Sequence, residues 1–262
     1  MSLTHDFNIN NVHEDEDIYV LGDGEELYHI TEEQKKFLDT KTTINVNYSH
    51  LSYKGIYYIT GHTSHLLYML THSPYEPGKV FYQGRSDGFN EFDTFNKTTI
   101  CKLTVKELSS SSLLSRKYDP NKNFLYGAAN IPISAINLAY IMGAKRIILI
   151  GFNQKNYLHH YNMDEKLTDT LRTNINSLLS RYENCSRMRS DVGADFKKFM
   201  SLFKDPDTLR NTNYNQILSP RLNNLQSRIE GCTLVSCTKH SVFVDSAVAN
   251  YISIEDLINE NN

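Results

Sequence analysis

Gly127-Ala128-Ala129-Asn130-Ile131-Pro132-Ile133-Ser134-Ala135-Ile136-Asn137-Leu138-Ala139-Tyr140-Ile141-Met142-Gly143-Ala144-Lys145-Arg146-Ile147-Ile148-Leu149-Ile150-Gly151-Phe152-Asn153 reads as loop, helix, strand, loop. Pro132 sits in a first turn, where its missing N–H has no intrahelical partner to lose, and Gly143 supplies the left-handed residue that ends the helix. Ile147 to Ile150 is an unbroken apolar run, the pattern of a strand buried on both faces of a parallel sheet. Gly151-Phe152-Asn153 then falls just past the strand's carboxyl end, where open α/β sheets hold their ligands.

The chain before this unit repeats the pattern. Ile18-Tyr19-Val20-Leu21 is a compact strand, and Gly22-Asp23-Gly24-Glu25-Glu26-Leu27 turns out of it with two glycines that permit close backbone approach to a ligand. A single GxG lacks the third glycine of the dinucleotide fingerprint, so NAD is not the expected ligand. Thr31 opens a capping box into a short helix over residues 31–39. A second strand, Thr42 to Asn47, delivers Asn47-Tyr48-Ser49-His50 to the same edge, where Asn47 offers both a hydrogen-bond donor and an acceptor. Gly55 to Thr60 is a third strand ending in Gly61-His62-Thr63-Ser64-His65, with a helix capped by Ser64 behind it. Val80-Phe81-Tyr82 is a fourth. Residues 83–96 read as a surface loop, 98–105 as an edge strand, and 109–120 as a mobile connection.

Beyond Asn153, residues 154–164 carry Tyr157, His159, His160 and Tyr161, a density of aromatic and titratable groups that marks a lid over the ligand edge, extending to about residue 193. Residues 165–184, 194–204 and 222–229 have helical spacing. The run Cys232 to Cys237 is a strand ending in Thr238-Lys239-His240-Ser241, and Ile254 to Ile258 closes the chain as a helix. Alternating strands and helices define an α/β protein with a mainly parallel sheet flanked by helices, a mobile lid and a helical C-terminal half. Residues 1–16 are expected to be a flexible or loosely docked tail, and 17–262 a single domain.

Composition excludes several classes. With 262 residues, 40% of them hydrophobic, the chain can fill a core of its own. No run approaches the ~18 apolar residues needed to cross a bilayer, and the acidic start does not resemble a secretion signal, so a cytoplasmic protein without a membrane partner is expected. The four cysteines lack zinc or disulfide spacing and read as free thiols. A net charge of −3 does not advertise nucleic acid over the whole molecule, although arginines and lysines enrich the second half. There is no Walker lysine loop, GxSxG elbow, HExxH helix or EF-hand. Asp15-Glu16-Asp17 and Asp205-Pro206-Asp207 have DxD spacing but lie away from strand ends, so no metal site is expected.

Gly22-Asp23-Gly24 after a first strand, Asn47 after a second, and the helix-Gly143 to Asn153 unit together resemble the bacterial sialyltransferases that use CMP-sugar donors, and the broader 6-hydroxymethylpterin diphosphokinase-like family of glycosyltransferases. The resemblance covers about residues 17–60 and 125–160. It implies a Rossmann-like, GT-A-like domain that binds a nucleotide-sugar donor (CMP-, UDP- or another) with no tightly bound cofactor and no requirement for Mg²⁺. It implies donor contacts from Gly22, Asp23, Gly24, Asn47, Asn130, Gly151 and Asn153. Tyr157 and Tyr161 would take the family's phosphate-binding lid role, and His240 and Ser241 close the site. The chain departs from the family at Asp23, where the family has asparagine, at Glu25-Glu26, where it has Pro-Ser, and at Asn130-Ile131-Pro132, where it has Thr-Ser-Gly.

The expected chemistry is displacement at an anomeric carbon by an acceptor hydroxyl. His159 or His160 is the candidate general base, with Asp164 or Asp191 as the alternative. Lys155, Arg187 or Arg189 would stabilise the leaving phosphate. The Tyr-, Asn- and Lys-rich composition also resembles tailed-phage proteins, which makes hydroxymethylated cytosine in phage DNA one expected acceptor and a saccharide the other, the location then being the host cytoplasm. Two further readings are a pterin-type diphosphokinase using ATP and Mg²⁺, and a non-catalytic nucleotide-binding module. The sequence is silent on oligomeric state.

Overall fold

Ile147, Ile148, Leu149 and Ile150 are fully buried, and β9 (Arg146–Ile150), which they build, lies inside a nine-stranded sheet. The structure is a computed structural model and describes residues 3–4, 8–83, 100–107, 118, 124–127, 131–152, 164–181, 222 and 225–261. The other strands of the sheet are β1 (Leu3–Thr4), β2 (Asp17–Leu21), β3 (Thr42–Val46), β4 (Tyr57–Thr60), β5 (Lys79–Tyr82), β6 (Ile100–Lys102), β10 (Thr233–Ser236) and β11 (Asn250–Tyr251). Their spatial order is β1-β6-β5-β4-β3-β2-β9-β10-β11, and every described pairing is parallel. β7 (Thr104–Glu107) and β8 (Phe124–Gly127) pair separately, also in parallel. The chain is thus a mainly parallel, Rossmann-like α/β protein.

Parallel strands need crossovers, and the crossovers cover both faces of the sheet. On one face Ile18, Val20, Ile44, Ile59, Phe81, Ile147 and Leu149 pack beneath α3 (Ile131–Ile141) and beside Phe243 and Ile229. Apart from its partly exposed first residue, α3 is buried along its whole length, Ser134 and Asn137 included. The opposite face divides in two. Over β2 and β9, Tyr19, Leu21, Ile148 and Ile150 meet Leu38 of α1 (Glu32–Leu38) and Leu257 near the C terminus. Over β4 and β5, Tyr58, Val80 and Tyr82 meet α2 (Thr63–His72), onto which α4 (Glu165–Arg181) lays Leu171, Ile175 and Leu178. Each such side chain contributes about 1.5–3 kcal/mol by leaving water. The remaining helices among the described residues are α5 (Leu225–Arg228), α6 (Val242–Asp245) and α7 (Ile254–Glu260).

Between the two halves of that second face, the residue aligned with the apolar rows is Asn45 of β3, fully buried. Its amide nitrogen donates to Ser49 Oγ at 2.8 Å and to the Tyr53 carbonyl at 2.9 Å, while its oxygen accepts from Gly55 N and, at 3.3 Å, from the Tyr75 hydroxyl. One side chain therefore supplies hydrogen bonds to a loop that cannot pair with itself.

The local signals fare well where they are chemical. Thr31 and Gln34 make the reciprocal capping box, at 3.2 Å and 2.9 Å. Gly143, at φ +97°, closes α3 with the paired bonds of a Schellman motif, Ala144 N to Ala139 O and Gly143 N to Tyr140 O.

Three expectations are corrected. Residues 8–16 are docked rather than loose: Ile9 is fully buried, and Asn11, His13 and Asp15 donate backbone N–H groups to the carbonyls of Ile141, Met142 and Gly143. They satisfy acceptors that the end of α3 leaves open. His13 is further held between Glu16 and the Tyr57 hydroxyl, at 3.0 Å and 2.8 Å. The span 98–105 is split, β6 lying inside the sheet between β5 and β1, and β7 pairing elsewhere. Helix α2 begins at Thr63 with His62 before it, so Ser64 is a buried residue within the first turn and not its cap. The turns after β2 and β3 are short 3-10 helices, Glu25–Leu27 and Asn47–Leu51. Of the lid expected over about 154–193, residues 165–181 form α4, packed on α2; its other residues apart from Asp164, like the helix expected over 194–204, lie outside the described residues.

Candidate functional site

The strand order reverses between β2 and β9. From β2 the chain winds outward through β3, β4, β5 and β6, and it then returns to place β9 and β10 on the other side. At such a switch point the two adjacent loops leave in opposite directions and open a crevice beyond the carboxyl ends of the strands. Here the loops are Gly22 to Leu27 and Gly151-Phe152.

Three glycines permit these loops to touch. Gly22 N donates to Ile150 O and Gly24 N to Gly151 O, both at 2.8 Å. A Cβ at Gly22 would stand 2.4 Å from Gly151 O, and one at Gly24 would stand 2.7 Å from the same atom. Gly151 itself is at φ +72°. The sequence pointed to glycines that admit a ligand; the backbone they admit is each other's.

Around this junction, Asp23 is half-buried between Gly22 and Gly24, and Glu25 and Glu26 follow in the first turn of the 3-10 helix. Asn47 closes β3 in a left-handed conformation, φ 52°, and its oxygen accepts from Thr60 Oγ1 at 2.9 Å, tying the ends of β3 and β4 together. Among the described residues its amide nitrogen has no hydrogen-bond partner. On the β10 side, Thr238 Oγ1 accepts from Phe152 N at 3.3 Å. Ser241 caps α6 through Val244 N and is 3.2 Å from Ser236 Oγ, so its hydroxyl serves the loop. His240 and Lys239 are exposed beside it. The edge is therefore acidic over β2 and basic over β10.

Asp164 caps α4, its Oδ1 accepting from Leu167 N at 3.0 Å, which commits the carboxylate to a helix terminus. His159, His160, Asp191, Asn130, Asn153, Tyr157 and Tyr161, together with Lys155, Arg187 and Arg189, lie outside the described residues. Burial pushes the Cys237 thiol, at the end of β10, up to about 12, with Glu255 adding to the effect, so this thiol is protonated and unreactive at neutral pH.

Glu26 was missed by the sequence reading. Its Oε2 is buried without a hydrogen-bond partner, wedged behind Gly24, whose Cβ would approach it to 3.0 Å. Burial, and secondarily the neighbouring Glu25, push the carboxyl from its ordinary 4.5 up to about 7. The available signal was two consecutive carboxylates directly after a glycine turn on a buried strand, where both cannot stay fully hydrated. Gln83 and Ser134 were missed as well. Gln83 Nε2 and Ser134 Oγ are buried and unpartnered, Gln83 directly after β5 and Ser134 in the first turns of α3. Among the described residues the hydroxyl of Tyr19, inside the apolar layer, is likewise unpaired.

The Glu26 assignment has a thermodynamic consequence. A raised folded-state pKa means that the folded chain keeps a proton the unfolded chain releases, so stability falls as pH rises from 4.5 through about 7 and the loss is complete above that. Discounted for partial solvation, the loss amounts to about 1–2 kcal/mol. Glu26→Gln should remove that slope, melting higher than the parent at pH 8 and equal to it at pH 4.5. Parallel pH–stability curves for the two proteins would exclude a buried, perturbed Glu26.

The fold defines the class: a mainly parallel, Rossmann-like α/β protein whose strand order reverses between β2 and β9. Comparison of the chain with protein-family models, with curated proteins and with solved structures finds no match. Among the described residues there is no group of three or more His, Cys, Asp or Glu that could hold a metal ion, and no helix is long and apolar enough to cross a membrane.

Proposed function

We propose that the protein is a nucleotide-sugar-dependent glycosyltransferase that moves a sugar to an acceptor hydroxyl. The observation that carries the reading is the switch point between β2 and β9, where the Gly22–Leu27 and Gly151-Phe152 loops meet, with one carboxyl, Glu26, raised toward neutrality beside it. Switch-point crevices of parallel sheets take nucleotides, and a group titrating near the working pH can accept the hydroxyl proton as the anomeric bond forms. Glu26 therefore joins His159 and His160 as a candidate base. The acidic β2 loop suits hydroxyl-rich ligands, because the carboxyl oxygens of Asp23 and Glu25 are of the kind that accept from sugar or ribose hydroxyls. The resemblance of Gly22-Asp23-Gly24 and of the Gly143 to Asn153 unit to the CMP-sugar sialyltransferases supports the same donor class.

A thermal-shift screen with CMP-, UDP-, GDP- and ADP-sugars and with ATP, each with and without EDTA, tests it. A Tm increase of several degrees with one nucleotide-sugar, unaffected by EDTA, is the expected result. Stabilisation by ATP alone, abolished by EDTA, would replace the transferase with a diphosphokinase. Binding to duplex DNA that weakens steeply with salt would select DNA as acceptor over a saccharide.

A further inference from the structure

Two strands away from the switch point, the carboxyl edge holds a second set of hydrogen-bonding groups that the fold does not use. Gln83 follows β5, and its backbone N–H donates to Thr60 O at 3.0 Å, which sets it alongside Gly61 just past the end of β4. Ile131, the first residue of α3, lies over the same point: a Cβ on Gly61 would be 3.9 Å from Ile131 Cδ1. Ser134 is three residues further along α3, on the same helix face as Ile131, and helical side chains lean back toward the N terminus. That places Ser134 on the helix face that Ile131 turns toward Gly61.

Gly61, Gln83 and Ile131 are each partly exposed, whereas Ser134 is fully buried. Among the described residues, neither Gln83 Nε2 nor Ser134 Oγ has a hydrogen-bond partner. Leaving a buried polar group unpaired costs about 1–3 kcal/mol, which a folded chain tolerates where a ligand completes the bond. Both groups can donate, and both stand at the positive end of an eleven-residue helix whose first-turn N–H groups face the same way, Pro132 contributing none. Donors at a helix N terminus with no competing carboxylate in the set select an anionic oxygen.

We infer that Ser134, Gln83 and the first turn of α3 form an oxyanion subsite at the end of β4, separate from the switch-point crevice, which holds a phosphate or carboxylate carried by the second substrate. The acceptor is then an acidic molecule, its anionic group anchored over β4 while its hydroxyl reaches toward the β2 loop. This rests on reading the carboxyl edge as the ligand edge, but not on the identity of the donor.

The test uses the full chain and inorganic phosphate, with acetate as the carboxylate probe and chloride at matched ionic strength as the control. Phosphate or acetate should raise the Tm of the parent above the chloride control, and whichever acts identifies the anion. Ser134→Ala and Gln83→Leu should each weaken that anion's binding at least tenfold. Without anion, Ser134→Ala should melt no lower than the parent, because it deletes an unpaired buried hydroxyl; a serine with a structural role would make the variant melt lower. The inference is overturned if neither anion acts beyond chloride, if the variants respond as the parent does, or if anion-free Ser134→Ala is destabilised. Nucleotide-sugar binding that persists while the anion response is absent removes this subsite alone, whereas an anion response without nucleotide-sugar binding removes the transferase reading and leaves the subsite.

Discussion

Gly22→Ala is expected to lower stability by about 3–4 kcal/mol, which for a domain of this size moves the midpoint of thermal unfolding down by several degrees or more. The added methyl would sit 2.4 Å from the Gly151 carbonyl oxygen and 3.0 Å from the Phe152 ring. Neither neighbour can give cheaply. The oxygen is backbone, it accepts from Gly24 N, and Gly151 is in a left-handed conformation that other residues resist. Separating the loops would also open the crevice, so a variant that still folds should lose nucleotide-sugar affinity. Urea denaturation measures the first effect and titration calorimetry the second. A midpoint within experimental error of the parent would mean that the two loops are not packed in this way.

Asn45→Ala should cost a comparable amount, about 3 kcal/mol or more, because it strands several partners at once. Ser49, Tyr53 O, Gly55 N and the Tyr75 hydroxyl all lose a hydrogen bond inside the sheet. Asn45→Asp is the sharper version. An ionised carboxylate would face the Tyr53 carbonyl where the amide now donates, in a position with no solvent access. That variant should be least stable at neutral pH and recover toward acid pH as the carboxyl gains a proton and becomes a donor again. Hydrogen exchange across residues 47–56 would localise the damage. Unchanged protection there in Asn45→Ala would refute the role assigned to this residue.

Much of the architecture was legible because it is written in short-range chemistry. The apolar run of β9, Pro132 at the start and Gly143 at the end of α3, and the Thr31 capping box each constrain a few adjacent residues, and the structure contains them. Short strands were not legible. Leu3–Thr4 and Asn250–Tyr251 are two residues long, have no period to read, and exist only because a neighbouring strand offers a free edge. The docking of residues 8–16 was hidden for a related reason. Its cause is the set of open carbonyls at the end of α3, more than 120 positions away.

The candidate site divides along the same line. Its position at the Gly22 and Gly151 loops could be argued from the sequence, since glycines after buried strands mark strand ends. What those glycines do could not, because the residue that requires Gly22 to lack a side chain is Gly151, not a ligand. Asn47 was correctly set at a strand end, but its bond to Thr60 belongs to the adjacent strand. Asp164, read as an alternative to His159 or His160 as base, caps α4, a use that depends on where α4 begins. Glu26, Gln83 and Ser134 carry no motif, and their interest lies in burial without partners, a property that only the packed chain possesses.

The sequence by itself therefore determined the class of fold and the edge at which ligands are expected, because strand burial, helix capping and glycine turns are local consequences of residue type. Tertiary structure alone decided the strand order, the switch point between β2 and β9, and which polar groups lie buried and unpaired. Those depend on contacts between residues far apart in the chain, whose desolvation and hydrogen bonding no local pattern encodes.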